Sequence, residues 1–435
     1  MRVAFVSQPR DAMAATGSQR GSVAIVTWEL ARRLTDRHDV TIYAPRLGNE
    51  PEEERGVENV LVRRTGRAFR RAHKAIDFGT GLLCLKPPYF SRPAFFREYG
   101  AAIADWLARD TPDVVHLQIC SQFIPVIRRT VPRVRIVFHT HDELLTRLSR
   151  EMMEPRLSMA DAVVTCSDYV TERWRVHFPR FAGKIHTVGN GVDLDRFQPD
   201  PQCAIESGSP AENTEVLYVG RVSPEKGVHI LVQAFEHVAA AIPAARLSII
   251  GSAGLLPFNQ ISLLEDDPHV AALRPFYGQG LVSRVRRQVL EARNGYLNAI
   301  RASVPATTLA RVVFHGPLEY MDLPALYRRA RLLAAPSLCE EPFGLPLAEA
   351  MASGLPVVAS RAGGMAGIVE DGRTGRLVER GDVKGLAHAM VAMLRDPAAL
   401  AGMGHASRLT AVSRFGWKTA AGRLDHIYQS LSGAQ

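Results

Sequence analysis

The chain has no apolar run approaching the roughly 18 residues that a membrane-spanning helix needs, so no such helix is expected. Cysteine is scarce. Five are scattered along 435 residues, at Cys84, Cys120, Cys166, Cys203 and Cys339, and none forms a C-x-x-C pair. That spacing argues against a zinc ribbon or a disulfide framework and fits a reducing cytoplasm. The opening MRVAFVSQPR enters a strand directly, so no secretion signal is expected. No G-x-G-x-x-G follows that strand, which argues against a dinucleotide-binding fingerprint.

The length suggests two or three domains rather than one. Apolar residues make up 46% of the chain and charged residues 22%, as in an ordinary soluble protein with a large core. The net charge is +9, a bias toward anionic partners such as nucleoside diphosphates, anionic lipid or nucleic acid. The competing reading is a surface decorated with arginine.

The first half reads as strand and helix in alternation. Val3 to Ser7 is a strand, and a small-residue loop with Gly17, Gly21 and Ser22 leads to a helix over 23–35. Val40 to Ala44 is the next strand. This is the opening of a doubly wound α/β domain. Gly21-Ser22 before a helix could hold phosphate on backbone amides, or be no more than a turn. Residues 45–60 read as an acidic loop. Residues 61–74, LVRRTGRAFRRAHK, carry Arg63, Arg64, Arg67, Arg70, Arg71 and Lys74 around Ala68 and Phe69, with no acid of their own. This stretch is either a solvated face or a contact for anionic lipid or acceptor. Strands follow at 112–117, 135–139 and 161–166, and the second runs into His139-Thr140-His141-Asp142-Glu143. His-x-His puts both imidazoles on one face of a strand. A metal is conceivable there, but Asp142 and Glu143 are better explained as helix caps. Ser167 is a candidate N-cap.

Residues 198–214 form the best linker in the chain. The α/β pattern then restarts at Val216. A turn, Gly220-Arg221-Val222-Ser223-Pro224-Glu225-Lys226-Gly227, places a forked and a point cation where they could converge on a diphosphate. Residues 252–310 are long and mixed. From Ala334 to Gly375 comes the densest stretch, with Glu341 and Glu349 separated by seven residues that include Pro342-Phe343-Gly344. Gly344 at a helix start permits close approach of a ligand to backbone N–H groups. Glu349, one turn into that helix, could accept bonds from sugar or ribose hydroxyls. An ordinary βαβ unit with acidic caps has the same pattern. Helices are also expected over 383–395 and 417–432.

Together these segments resemble the family 4 glycosyltransferases. Gly220-Arg221 with Pro224-Glu225-Lys226-Gly227 resembles the family's G-R-x-x-x-x-K-G loop, and Glu341 to Glu349 its E-x7-E motif. Asn190-Gly191-Val192-Asp193 with Phe197 resembles its interdomain N-G-V-D-x-x-x-F. Arg20 to Leu30 resembles its first loop and Asp161 to Ser167 its D-A-V-V-x-x-S strand. The resemblance covers nearly the whole chain. It implies a GT-B fold, two Rossmann-like domains facing across a cleft. The expected division is an acceptor-side domain over 1–197, the 198–214 linker, a donor-nucleotide domain over 215–415 with an insertion at 252–310, and a helix over 416–435 packing back on the first domain.

The resemblance also implies an activity, a retaining hexosyltransferase using a nucleoside diphosphate sugar. Arg221 and Lys226 would neutralise the departing diphosphate, so no metal or other cofactor is expected. No D-x-D pair sits at a strand end, in agreement. Glu349 would hold ribose. Glu341, with the backbone of Phe343, Gly344 and Leu345, would hold the donor sugar. Gly21 and Ser22 would contact phosphate. His141, or failing that His139, would face the sugar. A UDP-sugar is expected before a GDP-sugar, with a saccharide, lipid-linked or small-molecule acceptor. Nucleic acid is not an expected partner. The expected location is the cytoplasm, with peripheral contact at the anionic inner membrane face. Two departures stand out. Gly367 occupies a position where the family has glutamate, and Ser22 stands in a usual glycine pair. A nucleotide-sugar epimerase and a catalytically inactive nucleotide-sugar-binding or membrane-associated protein are the alternatives.

Overall fold

The structure is a computed structural model that describes residues 1–16, 19, 21–66, 70–199, 214–278, 280–290 and 294–433. Gly17 and Arg20 of the first loop, Arg67, Ala68 and Phe69 of the basic stretch, and residues 200–213 of the linker lie outside the described residues. Backbone contacts divide the chain into two compact units, Met1–Gly191 with Trp417–Gln435, and Val192–Gly416.

The first unit is built on one sheet in the order β3-β4-β2-β1-β5-β6-β7-β8. Its strands are β1 (Arg2–Val6), β2 (Asp39–Pro45), β3 (Glu53–Arg55), β4 (Leu61–Thr65), β5 (Val114–Gln118), β6 (Arg135–Thr140), β7 (Ala162–Thr165) and β8 (Ile185–Thr187). All neighbours pair in parallel except β3 with β4. Parallel strands have helices on both faces, so they are apolar without alternation. VVHLQ and AVVT are buried along their full length. The helices include Ser22–Leu34, Arg97–Asp110 and Asp168–His177, the last capped by the Ser167 hydroxyl on Val170 N–H. The C-terminal helix Trp417–Ser432 belongs to this unit.

Two readings need correction. The 45–60 loop contains β3, a short charged edge strand whose acids hid it. The basic stretch is not without acids in space. Arg63 pairs with Glu53 and Asp110, and Arg64, 2% exposed, binds Glu54 and the carbonyls of Met13 and Pro51. Arg70, Arg71 and Lys74 lie at the start of a helix, Arg70–Leu82.

The second unit has a wholly parallel sheet in the order β11-β10-β9-β12-β13-β14. Its strands are β9 (Thr214–Val219), β10 (Ala245–Ile250), β11 (Val312–Gly316), β12 (Leu332–Ala335), β13 (Val357–Ser360) and β14 (Gly375–Val378). Val216, Leu247, Ile249, Leu332 and Val358 from this sheet share a core with the Val228–Ala241 helix. A helix absent from the sequence reading spans Pro397–Arg414, started by Asp396 and Pro397. Its many small residues blur the helical period. The segment between β10 and β11 folds into short helices, among them Arg274–Tyr277 and Asn294–Ala302. Among the described residues, no helix is long and apolar enough to cross a membrane.

Candidate active site

In an open parallel sheet, ligands bind at the carboxyl ends of the strands where the strand order reverses. In the second unit the chain runs β9, β10, β11 to one side and then crosses to β12 on the other. The reversal lies between β9 and β12. The loop after β9 carries Arg221 and Lys226, and the loop after β12 carries Glu341.

Two glycines let these loops close on their neighbours. Gly227 has φ 69°, and a Cβ there would lie 2.0 Å from the Pro336 carbonyl oxygen. Gly251, φ 142°, would bring a Cβ to 1.8 Å from the Gly220 oxygen. The Glu225 carbonyl accepts from Leu338 N–H at 2.9 Å and Cys339 N–H at 3.2 Å, which ties the β9 loop to the β12 loop. The Glu225 carboxylate is buried, accepting from the Ser223 and Tyr277 hydroxyls at 2.6 and 2.8 Å. Tyr277 comes from the long β10–β11 segment, so that segment braces the cationic loop.

The outcome is an ion pair between a half-buried lysine and a buried glutamate. Lys226 Nζ lies 2.5 Å from Glu341 Oε1, and the Ser337 hydroxyl donates to the same oxygen at 2.6 Å. Burial would raise the Glu341 pKa, but Lys226 and Ser337 outweigh it and hold the carboxyl below its usual range. Burial would likewise lower Lys226, and Glu341 reverses this and raises it. Both groups therefore stay charged at neutral pH. Arg221 is 40% exposed at its side chain, with its guanidinium 3.9 Å from Glu225.

Glu341 leads into the helix Leu345–Ala352. Gly344 precedes it with φ 103°, and no side chain caps the helix start. Pro346 has no N–H and the Leu347 N–H bonds the Gly344 carbonyl at 3.0 Å, so what this start offers a partner is the N–H groups of Gly344 and Leu345. Glu349 sits on this helix, 4% exposed, and accepts from the Tyr327 hydroxyl at 2.8 Å. Burial raises its pKa to about 7 against the bonds from Tyr327 and Tyr320, which lower it. Phe197 packs its ring 5.5 Å from Tyr320 and 5.7 Å from Tyr327. The Phe343 ring is buried edge-on against Phe415, and Leu345 is half-buried.

In the first unit the order reverses between β1 and β5. The loop after β1 ends at Gly21, φ 95°, before the exposed Ser22 and a helix start that no side chain caps. A Cβ on Gly21 would meet nothing within 4 Å. His141 lies just past β6 and is half-buried, whereas His139 is fully buried against His116. Asp142 caps Leu144, and Glu143 binds Arg147, Arg173 and Tyr169.

The structure thus gathers Arg221, Lys226, Glu341, Phe343, Gly344, Leu345 and Glu349 in the second unit, and places Gly21, Ser22 and His141 at strand carboxyl ends of the first. Sequence reasoning missed Ser337, Glu225, Tyr277, Tyr320 and Tyr327. Of these, Glu225 stood inside the cationic-loop motif without a role of its own, and Ser337 stood four residues before Glu341. Gly367 leaves open space, with nothing within 4 Å of an added Cβ.

Two doubly wound units, each with a parallel-dominated sheet whose strand order reverses once, have the architecture of the GT-B class. Comparison with known proteins narrows the class. Models described as Glycosyltransferase Family 4 and Glycosyl transferases group 1 match residues 23–196, and 204–271 with 289–396, respectively. The chain belongs to the family 4 glycosyltransferases. It is 33% identical to D-inositol 3-phosphate glycosyltransferase 2 of Catenulispora acidiphila, over 57% of this chain and 50% of that protein, so it spans about half the length of that relative. It is 26% identical to the GDP-mannose-dependent alpha-(1-6)-phosphatidylinositol monomannoside mannosyltransferase of Mycolicibacterium smegmatis, over 95% and 96% of the two chains. Among solved structures, sucrose-phosphate synthase from Thermosynechococcus elongatus superposes with a TM-score of 0.71 at 22% identity, covering 100% of each chain. Anabaena HepE in complex with UDP and glucose does so at 0.65 and 21%, covering 99% of this chain and 100% of that one.

Proposed function

We propose that the protein is a retaining hexosyltransferase that moves a sugar from a nucleoside diphosphate donor to an acceptor hydroxyl. The observation that carries this reading is the Lys226–Glu341 ion pair, in loops that also carry Arg221 and the uncapped helix start at Gly344. The bond from the sugar anomeric carbon to the β-phosphate oxygen breaks. The acceptor oxygen bonds that carbon on the same face, and the acceptor proton passes to the leaving phosphate oxygen. The products are a glycoside and a nucleoside diphosphate. Negative charge grows on the diphosphate as it leaves, so fixed donors aimed there lower the barrier. Lys226, Arg221 and the backbone N–H groups of Gly344 and Leu345 serve that purpose, with Gly21 and Ser22 as further phosphate contacts. These cations take the place of a metal, and turnover is expected to survive a chelator. Glu349 accepts from the ribose hydroxyls, Glu341 and the Phe343 backbone hold the sugar, and His141 faces it.

The donor is a UDP-sugar, a reading supported by the UDP-bound HepE neighbour. GDP-mannose, named for the mycolicibacterial relative, is the competing donor. The acceptor is a saccharide, lipid-linked or small polyol hydroxyl. The enzyme works in the cytoplasm, consistent with the buried free thiols of Cys120, Cys166 and Cys339. Peripheral membrane contact is assigned to the Arg70–Leu82 helix and the residues after it, where Ile76, Phe78, Leu83 and Leu85 are exposed near Arg71, Lys74 and Lys86. Salt-sensitive binding to phosphatidylglycerol vesicles tests it, and no binding at low salt refutes it.

The reaction is tested by supplying nucleotide sugars with a panel of inositol, inositol phosphate and saccharide acceptors and following release of nucleoside diphosphate. Acceptor-dependent release supports transfer. Conversion of the donor to its epimer without an acceptor supports an epimerase instead. Donor binding without either reaction identifies an inactive binding protein.

A further inference from the structure

A second buried polar cluster lies in the first unit, and the reaction outlined above uses only one member of it. Gln118 ends β5, and His139 is its register partner on β6. His116 and Gln118 share one face of β5, and His139 and His141 share one face of the β6 strand and its extension. Tyr428, on the C-terminal helix, is 312 residues distant in sequence from His116, and its hydroxyl lies 2.7 Å from His116 Nδ1. His116 Nε2 lies 3.0 Å from His139 Nδ1. The His139 ring stacks on His141 with centroids 4.1 Å apart and planes 29° apart. His141 Nε2 lies 2.6 Å from Gln118 Oε1. Tyr428, His116, His139 and Gln118 are all fully buried.

Burial keeps His116, His139 and His141 neutral. It lowers His116 and His141 to about 3, and His139 well below its usual value. Burial also raises Tyr428 well above 10, so its hydroxyl keeps its proton. A neutral imidazole has one donor nitrogen and one acceptor nitrogen. If Tyr428 donates to His116 Nδ1, His116 must donate from Nε2 to His139 Nδ1. His139 is then held in one ring orientation from behind. Gln118 Oε1 can only accept, so His141 carries its proton on Nε2. Its Nδ1 lone pair is left for another group.

We infer that Tyr428, His116 and Gln118 are positioning residues that present His141 as a fixed Nε2–H imidazole whose Nδ1 accepts a hydrogen bond from a sugar or acceptor hydroxyl. The C-terminal helix is thereby part of the site, because its Tyr428 sets the plane on which His141 rests. This inference rests on the transferase reading for what His141 meets, but not for how His141 is held. Among the described residues, Gln118 Nε2 and His139 Nε2 have no hydrogen-bond partner. Two unpartnered buried nitrogens beside a strand end accord with a site completed by a ligand rather than with a finished core.

The test has two arms. In the first, long-range proton–nitrogen NMR on 15N-histidine-labelled protein reads each ring's tautomer. Wild type is expected to show His141 as the Nε2–H form. Y428F should move the ring nitrogens of His116 and His139, and Q118L should release His141 from its single tautomer. Q118E, which keeps the acceptor oxygen, should restore the Nε2–H form. In the second, turnover of UDP-glucose and GDP-mannose is measured, including slow hydrolysis without acceptor. Y428F should lower kcat about tenfold with donor KM within about twofold, the pattern of a misplaced rather than missing contact. Unmoved ring nitrogens in Y428F together with an Nε2–H His141 in Q118L would overturn the inference. So would a variant that melts earlier while its tautomers and kcat match wild type, since that is a packing role only. If wild type turns over neither donor, the transferase reading fails while the NMR arm still decides how His141 is held.

Discussion

The two units meet the same problem, polar side chains buried at the carboxyl ends of parallel strands, with opposite solutions. In the second unit the groups keep their charge. Lys226 and Glu341 each outweigh the other's burial, and Ser337 completes the pair. In the first unit the groups give up charge. His116, His139 and His141 stay neutral; Tyr428, His116 and His139 are joined by hydrogen bonds, His139 stacks on His141, and His141 bonds Gln118. A charged pair suits a site that must meet a polyanion, since a fixed cation stabilises charge that appears during reaction. A neutral imidazole suits a site that must meet hydroxyls, where it accepts a hydrogen bond without adding charge. Burial alone does not decide which solution a strand end takes; the partners within about 3 Å do.

The contrast can be broken most severely at the charged pair. K226A should lower kcat/KM for the nucleotide sugar by about a hundredfold or more, as for loss of a single charge-stabilising donor. It also strands the buried Glu341 carboxylate, at about 3 kcal/mol of stability. Adding E341Q should recover much of that stability in urea unfolding and none of the turnover. G227A acts on the same pair indirectly. Its Cβ would have to displace the Pro336 carbonyl, so the two loops separate, and activity and melting temperature should fall together.

Glu349 sharpens the contrast, because it is a buried carboxyl held by tyrosine hydroxyls, on which the Arg196 charge has a smaller effect than burial. Burial raises its pKa to about 7. A carboxyl with a raised pKa binds its proton more tightly folded than unfolded, so its stabilising contribution is present below the unfolded value. That contribution is lost as pH rises through about 7. E349Q should therefore match wild type in stability near pH 4 and exceed it by about 2 to 3 kcal/mol at pH 8. Donor affinity in wild type should rise over the same window as the carboxylate forms, and E349Q should lose that pH dependence.

The smallest effect is expected at Gly367. Restoring a glutamate there meets open space, so G367E should stay within about 0.5 kcal/mol of wild-type stability. A gain in turnover would mark that loop as part of the site, and unchanged kinetics would leave the charged pair sufficient.

Much of the frame was legible along the chain because its signals are local. Apolar runs such as VVHL and AVVT mark buried parallel strands, and Ser167 marks a helix start. The cationic loop and the two glutamates were legible as motifs. What joins them was not. Lys226 and Glu341 are 115 residues apart, and nothing local says that they share an oxygen and a lysine nitrogen. Glu349 read as a free hydroxyl acceptor because Tyr327 comes from another helix. His141 was preferred to His139 by resemblance alone, and what separates them in space is β5, which supplies His116 for one and Gln118 for the other. The basic run looked unopposed because Asp110 and the acids of β3 and the residues around it reach it only in space.

The most direct measurement is calorimetric titration of nucleotide sugars, UDP-glucose and GDP-mannose first, into the wild-type protein and into K226A. A ligand present at 100 times its Kd stabilises the fold by about 2.7 kcal/mol, so thermal unfolding gives an independent reading of the same affinity. The expected result is that at least one nucleotide sugar binds and raises the melting temperature of wild type, and that K226A loses both effects. Equal binding by wild type and K226A, or no binding by any nucleotide sugar, would contradict the account.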